Sequence, residues 1–176
     1  MTHEADPLNS PVEPVESGGR EDGLILVGWR EWITLPDTSS PPIKAKVDTG
    51  ARSSALHATR IRTGGEGWIR FLLHPHQRRN DDPVEIRAPL VDHRKVRSSS
   101  GVSEPRPTVQ LTLGLGPYRW PVEVTLTRRD RMGFRMLLGR TALRGRCLVD
   151  PGASFLLGQP PGHSTRSDVP PTETPS

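Results

Sequence analysis

Cysteine is nearly absent. The 176-residue chain has one, Cys147, so no intramolecular disulfide can staple it and its stability has to come from burial and backbone pairing. That suits a reducing compartment, and a cytoplasmic location is expected. Aromatic residues are scarce as well, with four Trp, three Phe and one Tyr, and they are not set out along the sequence as a stacking platform. Nucleic acid is therefore not the expected partner. No apolar run approaches the roughly 18 residues needed to cross a bilayer as a helix, so no membrane contact is expected. The amino-terminal stretch is acidic and proline-rich, without a basic segment followed by an apolar one, and does not read as a secretory leader. Lysine is in short supply: of the 24 basic residues, Lys44, Lys46 and Lys95 are the lysines and the rest are arginine. The formal excess is only +4, and the arginines are spread along the chain. They read either as a solvated surface or as affinity for an acidic partner.

What is present is turn chemistry and short apolar alternation. Residues 1–23 and 159–176 are rich in Pro, Ser, Gly and charge with almost no periodic apolar signal, and are expected to be disordered tails. Between them, 24–158 reads as one folded domain. Strands are expected over 24–27, 29–35, 43–47, 56–62, 68–74, 84–88 and 90–96, with a hairpin turn at 64–67. The clearest pair is Val109, Leu111, Leu113 and Leu115 alternating on one strand and Tyr118, Trp120, Val122, Val124 and Leu126 on the next. One short helix is expected within 140–145, and late strands over 147–149 and 155–157. Many short strands at this spacing predict an all-β sandwich or barrel.

Within that frame, the alternating run Ile43-Lys44-Ala45-Lys46-Val47 leads into Asp48-Thr49-Gly50-Ala51. A strand that ends in an acid, a small hydroxyl residue and a glycine presents a carboxylate at the floor of a cleft, and Gly50 lets another chain approach the backbone closely. The same residues also make an ordinary hairpin turn. Some ninety residues on, Met136-Leu137-Leu138-Gly139-Arg140 forms an apolar strand ending in glycine. Val149-Asp150-Pro151-Gly152-Ala153 echoes the first segment, but Pro151 replaces the hydroxyl residue and Asp-Pro-Gly is a common turn. It is not expected to supply a second acid.

Val47-Asp48-Thr49-Gly50-Ala51 and Leu137-Leu138-Gly139-Arg140 resemble the two signature segments of retropepsin-type aspartic proteases. The stretches GWREWITLP at 28–36, IKAKVDTGARSSALHA at 43–58, RSSSG at 97–101 and MGFRMLLGR at 132–140 are closer still to a bacterial retropepsin-like group. That group is also labelled an ATP-dependent zinc protease and is associated with ribosomal-protein glutamate ligases. The resemblance spans roughly residues 24–158. It implies a retropepsin-like closed barrel of a single lobe, and an aspartic-type endopeptidase in which Asp48, Thr49 and Gly50 are catalytic. Such chemistry needs two carboxylates about 3 Å apart sharing a proton, one activating water and the other supporting the carbonyl oxygen. With one Asp-Thr-Gly per chain, the implied site is completed by a homodimer.

By the same resemblance, Thr49 locks the two loops across the twofold axis and Gly139, behind Leu138, packs against the loop that Arg140 braces. Arg97, Ser98, Ser99, Ser100 and Gly101 would form a flap over substrate bound against Ala51. Arg52 departs from viral relatives, which carry a carboxylate there. With Arg97 it suggests recognition of acidic or polyglutamylated peptide substrates. Two other readings stay open: a non-enzymatic binding module for acidic peptides, and a zinc-dependent hydrolase drawing on His57, His74, His76 or His93. The chain has no His-Glu-x-x-His, no paired cysteines and no phosphate-binding Gly-x-x-x-x-Gly-Lys motif, so no metal, nucleotide or other cofactor is expected.

Overall fold

The computed structural model describes residues 20–21, 23–77, 80–97, 103–128 and 133–159. It is almost entirely strand: β1 (Arg20–Glu21), β2 (Leu24–Gly28), β3 (Arg30–Ile33), β4 (Ile43–Val47), β5 (Ser54–Thr63), β6 (Trp68–Leu73), β7 (Val84–Arg97), β8 (Ser103–Leu115), β9 (Tyr118–Thr127), β10 (Met136–Leu138) and β11 (Cys147–Asp150), with one turn of helix, α1 (Arg140–Leu143). A small sheet runs β1-β2-β11 and a large one β3-β4-β10-β5-β6-β7-β8-β9. Arg20–Glu21, placed in the amino-terminal tail by the sequence reading, pair with Leu24 and Ile25.

The fold class is the all-β, retropepsin-like one expected, and closure takes the form of a ring of strands. β5 makes the ring possible. Its first half, Ser54 to His57, lies parallel to Val124–Thr127 of β9, while its second half pairs antiparallel with β6. The ladders β6–β7, β7–β8 and β8–β9 complete the circuit. Period-2 alternation turns Leu111, Leu113, Leu115, Tyr118, Trp120, Val122 and Val124 inward, where they meet Ile33, Ile43, Leu56, Phe71 and Met136 in one continuous core.

Two expectations change in detail. The stretches 84–88 and 90–96 form one long strand, and Pro89 does not end it. The register shifts between Leu90 and Asp92, so the strand bends into a projecting ribbon with β8. Residues 155–157 form a turn instead of a strand. Phe155 takes a positive φ of 55°, and the carboxylate of buried Glu31 accepts hydrogen bonds from the amides of Leu156 and Leu157. An acid that binds backbone N–H groups substitutes for a ladder partner and leaves no strand to form.

β10 is the element that positions the site. It lies parallel to β4, with Leu138 beside Val47, and antiparallel to β5, with Leu137 beside Ala55. All three of its residues are buried. The strand that ends in Gly139 is thus wedged between the strand entering Asp48 and the strand leaving it.

Candidate active site

Asp48 follows directly on β4, and its amide donates to the carbonyl of Leu138 at 2.9 Å, which ties the acid to β10. Its carboxylate Oδ1 accepts from the amides of Gly50 at 3.1 Å and Ala51 at 3.2 Å. These bonds fix the side chain over its own turn. Oδ2 has no hydrogen-bond partner among the described residues. Thr49 and Gly50 are exposed and Asp48 is half-buried. The loop therefore offers one unclaimed carboxylate oxygen and one unclaimed hydroxyl to whatever faces it.

Gly139 and Arg140 hold this loop from behind. A Cβ on Gly139 would sit 2.5 Å from the carbonyl carbon and oxygen of Ser53, so only glycine allows β10 to pack against the segment after Ala51. Its amide donates to the buried Ser54 Oγ at 3.1 Å. Gly139→Ala is expected to lower stability by about 1–3 kcal/mol, because the clash is with backbone; the midpoint of urea unfolding measures it. Arg140 Nη1 donates to the carbonyls of Thr49 at 3.0 Å and Gly50 at 2.9 Å, and its amide donates to the carbonyl of Ala51 at 2.9 Å. The guanidinium works on carbonyls, so the loop is held without a carboxylate at position 52.

Arg52 is exposed beside a cavity of about 610 Å³ lined by Thr49, Arg52, Arg140, Arg144, Cys147 and Val149. Among the described residues no carboxylate lines it. Burial pushes the Cys147 thiol up to about 12, against a smaller opposing pull from Arg146. At pH 8 the thiol is protonated and unreactive. A thiol-reactive chromophore is expected to label Cys147 slowly in the native protein and within seconds in denaturant.

The flap expectation falls mostly outside the described residues: Ser98, Ser99, Ser100 and Gly101 are not among them. Arg97 ends β7, opposite Ser103 at the start of β8. Among the described residues the rings of His57 and His74 lie 5.4 Å apart, but no further histidine joins them in a ligand group. His74 lies just past the end of β6. Its ring nitrogens engage Thr59 Oγ1 at 2.8 Å and the carbonyl of Asn80 at 3.2 Å. Among the described residues no three His, Cys, Asp or Glu side chains come together.

The echo at 149–153 noted in the sequence folds as a second loop of the same build, a likeness that goes beyond the common turn expected there. Asp150 Oδ1 accepts from the amide of Gly152 at 2.8 Å. The amide of Ala153 donates to the carbonyl of Asp150 at 3.3 Å, as that of Ala51 does to Asp48 at 3.2 Å. β11 enters this loop parallel to β2, which ends in Gly28. A Cβ there would meet the carbonyl oxygen of Ala153 at 2.4 Å. Trp29 donates its amide to Ala153 as Arg140 does to Ala51, each at 2.9 Å. The signal was readable in Leu26-Val27-Gly28 and Leu137-Leu138-Gly139. Glu31, whose Oε1 accepts from the amide of Gly28 at 2.7 Å, braces the second loop and had no signal of its own.

An all-β lobe that wedges an apolar strand and its glycine behind an Asp-Thr-Gly loop is retropepsin-like. The chain belongs to the RimB-like family, described as "Retropepsin-like aspartic endopeptidase RimB", which it matches over residues 26–160. It is 45% identical over 141 residues to a protein of Shewanella pealeana named "Probable alpha-L-glutamate ligase", covering 78% of this chain and 31% of that one. A protein of the same name from Parasynechococcus marenigrum is 49% identical over 139 residues, with 76% and 29% covered. The chain thus spans about three tenths of the length of these curated relatives. Among solved structures, a Legionella pneumophila protein titled as of unknown function superposes with a TM-score of 0.63 at 30% identity, covering 75% of this chain and 97% of that one.

Proposed function

We propose that the protein is an aspartic-type endopeptidase of the cytoplasm, acting as a homodimer in which Asp48 from each subunit forms a water-activating pair, and that its substrates are glutamate-rich protein tails. The observation that carries this is the state of the Asp48 carboxylate. One oxygen is fixed by two loop amides and the other is unclaimed at an exposed surface, beside an exposed Thr49 hydroxyl. A turn former needs the first oxygen only. Two such loops facing each other on a twofold axis bring the free oxygens to a shared water, and Thr49 across the axis fixes their separation. Arg140 and Gly139 then serve as positioning residues.

The acidic preference is supported by Arg52 and Arg144 at the cavity beside the loop, neither with an ion-pair partner among the described residues. A second support is the likeness to part of proteins named as glutamate ligases. The test is cleavage of a glutamate-tailed peptide and a neutral peptide, with and without EDTA, on protein whose mass in solution is measured by sedimentation. The expected result is a dimer that cuts the acidic peptide faster and ignores the chelator. A monomer, or activity that EDTA abolishes, overturns the reading.

A further inference from the structure

The cavity at Arg52 lies on one side of Asp48; the strand that delivers Asp48 has its own unexplained charges. Along β4, Ile43, Ala45 and Val47 are buried, and Lys44 and Lys46 occupy the opposite face. The same alternation carries that face on towards Asp48. β3 lies alongside in antiparallel register, setting Arg30 opposite Lys46 and Trp32 opposite Lys44. Three cations therefore stand together on the approach to the carboxylate, and two of them are among the chain's three lysines. Glu31, the acid of β3, is turned inward and occupied with backbone amides. Among the described residues, Arg30, Lys44 and Lys46 have no ion-pair partner.

These cations are held, not merely exposed. The Arg30 guanidinium lies 4.6 Å from the Trp29 ring centre and 5.0 Å from that of Phe155, and its Nε donates to Ser154 Oγ at 3.1 Å. Lys44 Nζ lies 5.0 Å from the Trp32 ring. Ring faces and the serine restrict the rotamers, so less entropy is lost when an anion arrives. The face continues into a groove of about 180 Å³ lined by Trp32, Lys44, Pro75, His76 and Gln77, again with no carboxylate among the described residues of its lining.

We infer that the outward face of β3 and β4 is an acidic-side-chain subsite continuous with Asp48, in which Lys46 and Arg30 bind substrate carboxylates and Lys44 binds one further along. This rests on the peptidase reading above and assigns its substrate recognition to residues away from Arg52. Alternate residues of a strand are about 7 Å apart. An extended peptide running along β4 therefore brings its own alternate side chains into step with Lys44 and Lys46. A run of glutamates satisfies all three cations; a neutral strand leaves half-buried charges unpaired. A nucleic acid would bring phosphates but also bases to stack. The ring faces of Trp29 and Phe155 are already met by Arg30, and Trp32 is only 7% exposed, which favours the peptide.

The test is binding, read in the Asp48→Asn protein so that no turnover intervenes. Fluorescence anisotropy is measured with a labelled oligoglutamate, the matching oligoglutamine and an oligothymidylate of similar length. Lys46→Gln and Arg30→Gln are each expected to weaken oligoglutamate binding roughly tenfold and to flatten its salt dependence, since each removes one charge-assisted contact. Oligoglutamine binding is expected to change by less than about twofold, having no carboxylate to lose. Unchanged oligoglutamate affinity, an equal loss for oligoglutamine, or tighter binding of oligothymidylate through the same residues overturns the inference. If Arg30→Gln lowers the melting temperature by losing its stacking, Lys46→Gln, which stacks on no described ring, decides the matter. Charge-dependent oligoglutamate binding by a protein whose wild type cleaves nothing keeps this subsite and removes the peptidase reading.

Discussion

Asp48→Asn is expected to abolish peptide cleavage, by about 10³-fold or more, while the protein keeps its fold and its affinity for acidic peptide. The amide side chain retains an oxygen in place of Oδ1 to accept from Gly50 and Ala51, so the loop loses little. What it loses is the second oxygen as a proton acceptor, and in a homodimer both halves lose it together. Mixing sharpens the expectation. If one acid comes from each subunit and exchange is free, activity falls as the square of the wild-type fraction, so nine parts mutant to one part wild type leaves roughly 1% of full activity. Activity that falls only in proportion to dilution places a complete site in each chain and removes the dimeric dyad.

Glu31→Ala is expected to be the most destabilising single change away from Asp48, by about 3 kcal/mol. The carboxylate is fully buried and accepts from Gly28, Leu156 and Leu157. Removing it orphans donors at the end of β2 and frees the turn after Phe155. Glu31→Gln keeps an oxygen for the two shorter bonds and should cost about 1 kcal/mol. Chemical denaturation ranks the two, and limited proteolysis after Phe155 reports the freed turn. Equal stability of Glu31→Ala and wild type would mean that the ring contacts of Phe155 and its amide bond to the Arg30 carbonyl suffice to hold the turn.

The parts of the fold legible in the sequence were those where alternation and burial agree. Ile43–Val47 and the Val109–Leu126 hairpin could be read residue by residue because one face is core and the other is not. Pro89 misled because proline usually interrupts a strand, and here the ladder continues through it. The turn at 155–157 was unreadable because its partner, Glu31, lies 124 residues or more away and looks like any surface acid. At the candidate site, the Asp-Thr-Gly loop and its backing glycine were legible by motif. The cations of β3 and β4 were in plain view as alternating lysines. Their gathering with Arg30 on one face depends on the register between two strands, which composition does not carry.

The paired loops at Asp48 and Asp150 bear on how such a site can change. Both take the same turn, backed by a glycine that tolerates no side chain, yet the residue between acid and glycine is threonine in one and proline in the other. The turn is thus indifferent to that residue. Within one subunit Thr49 is not needed to form the turn, so what its side chain grips can change without undoing the scaffold that presents it.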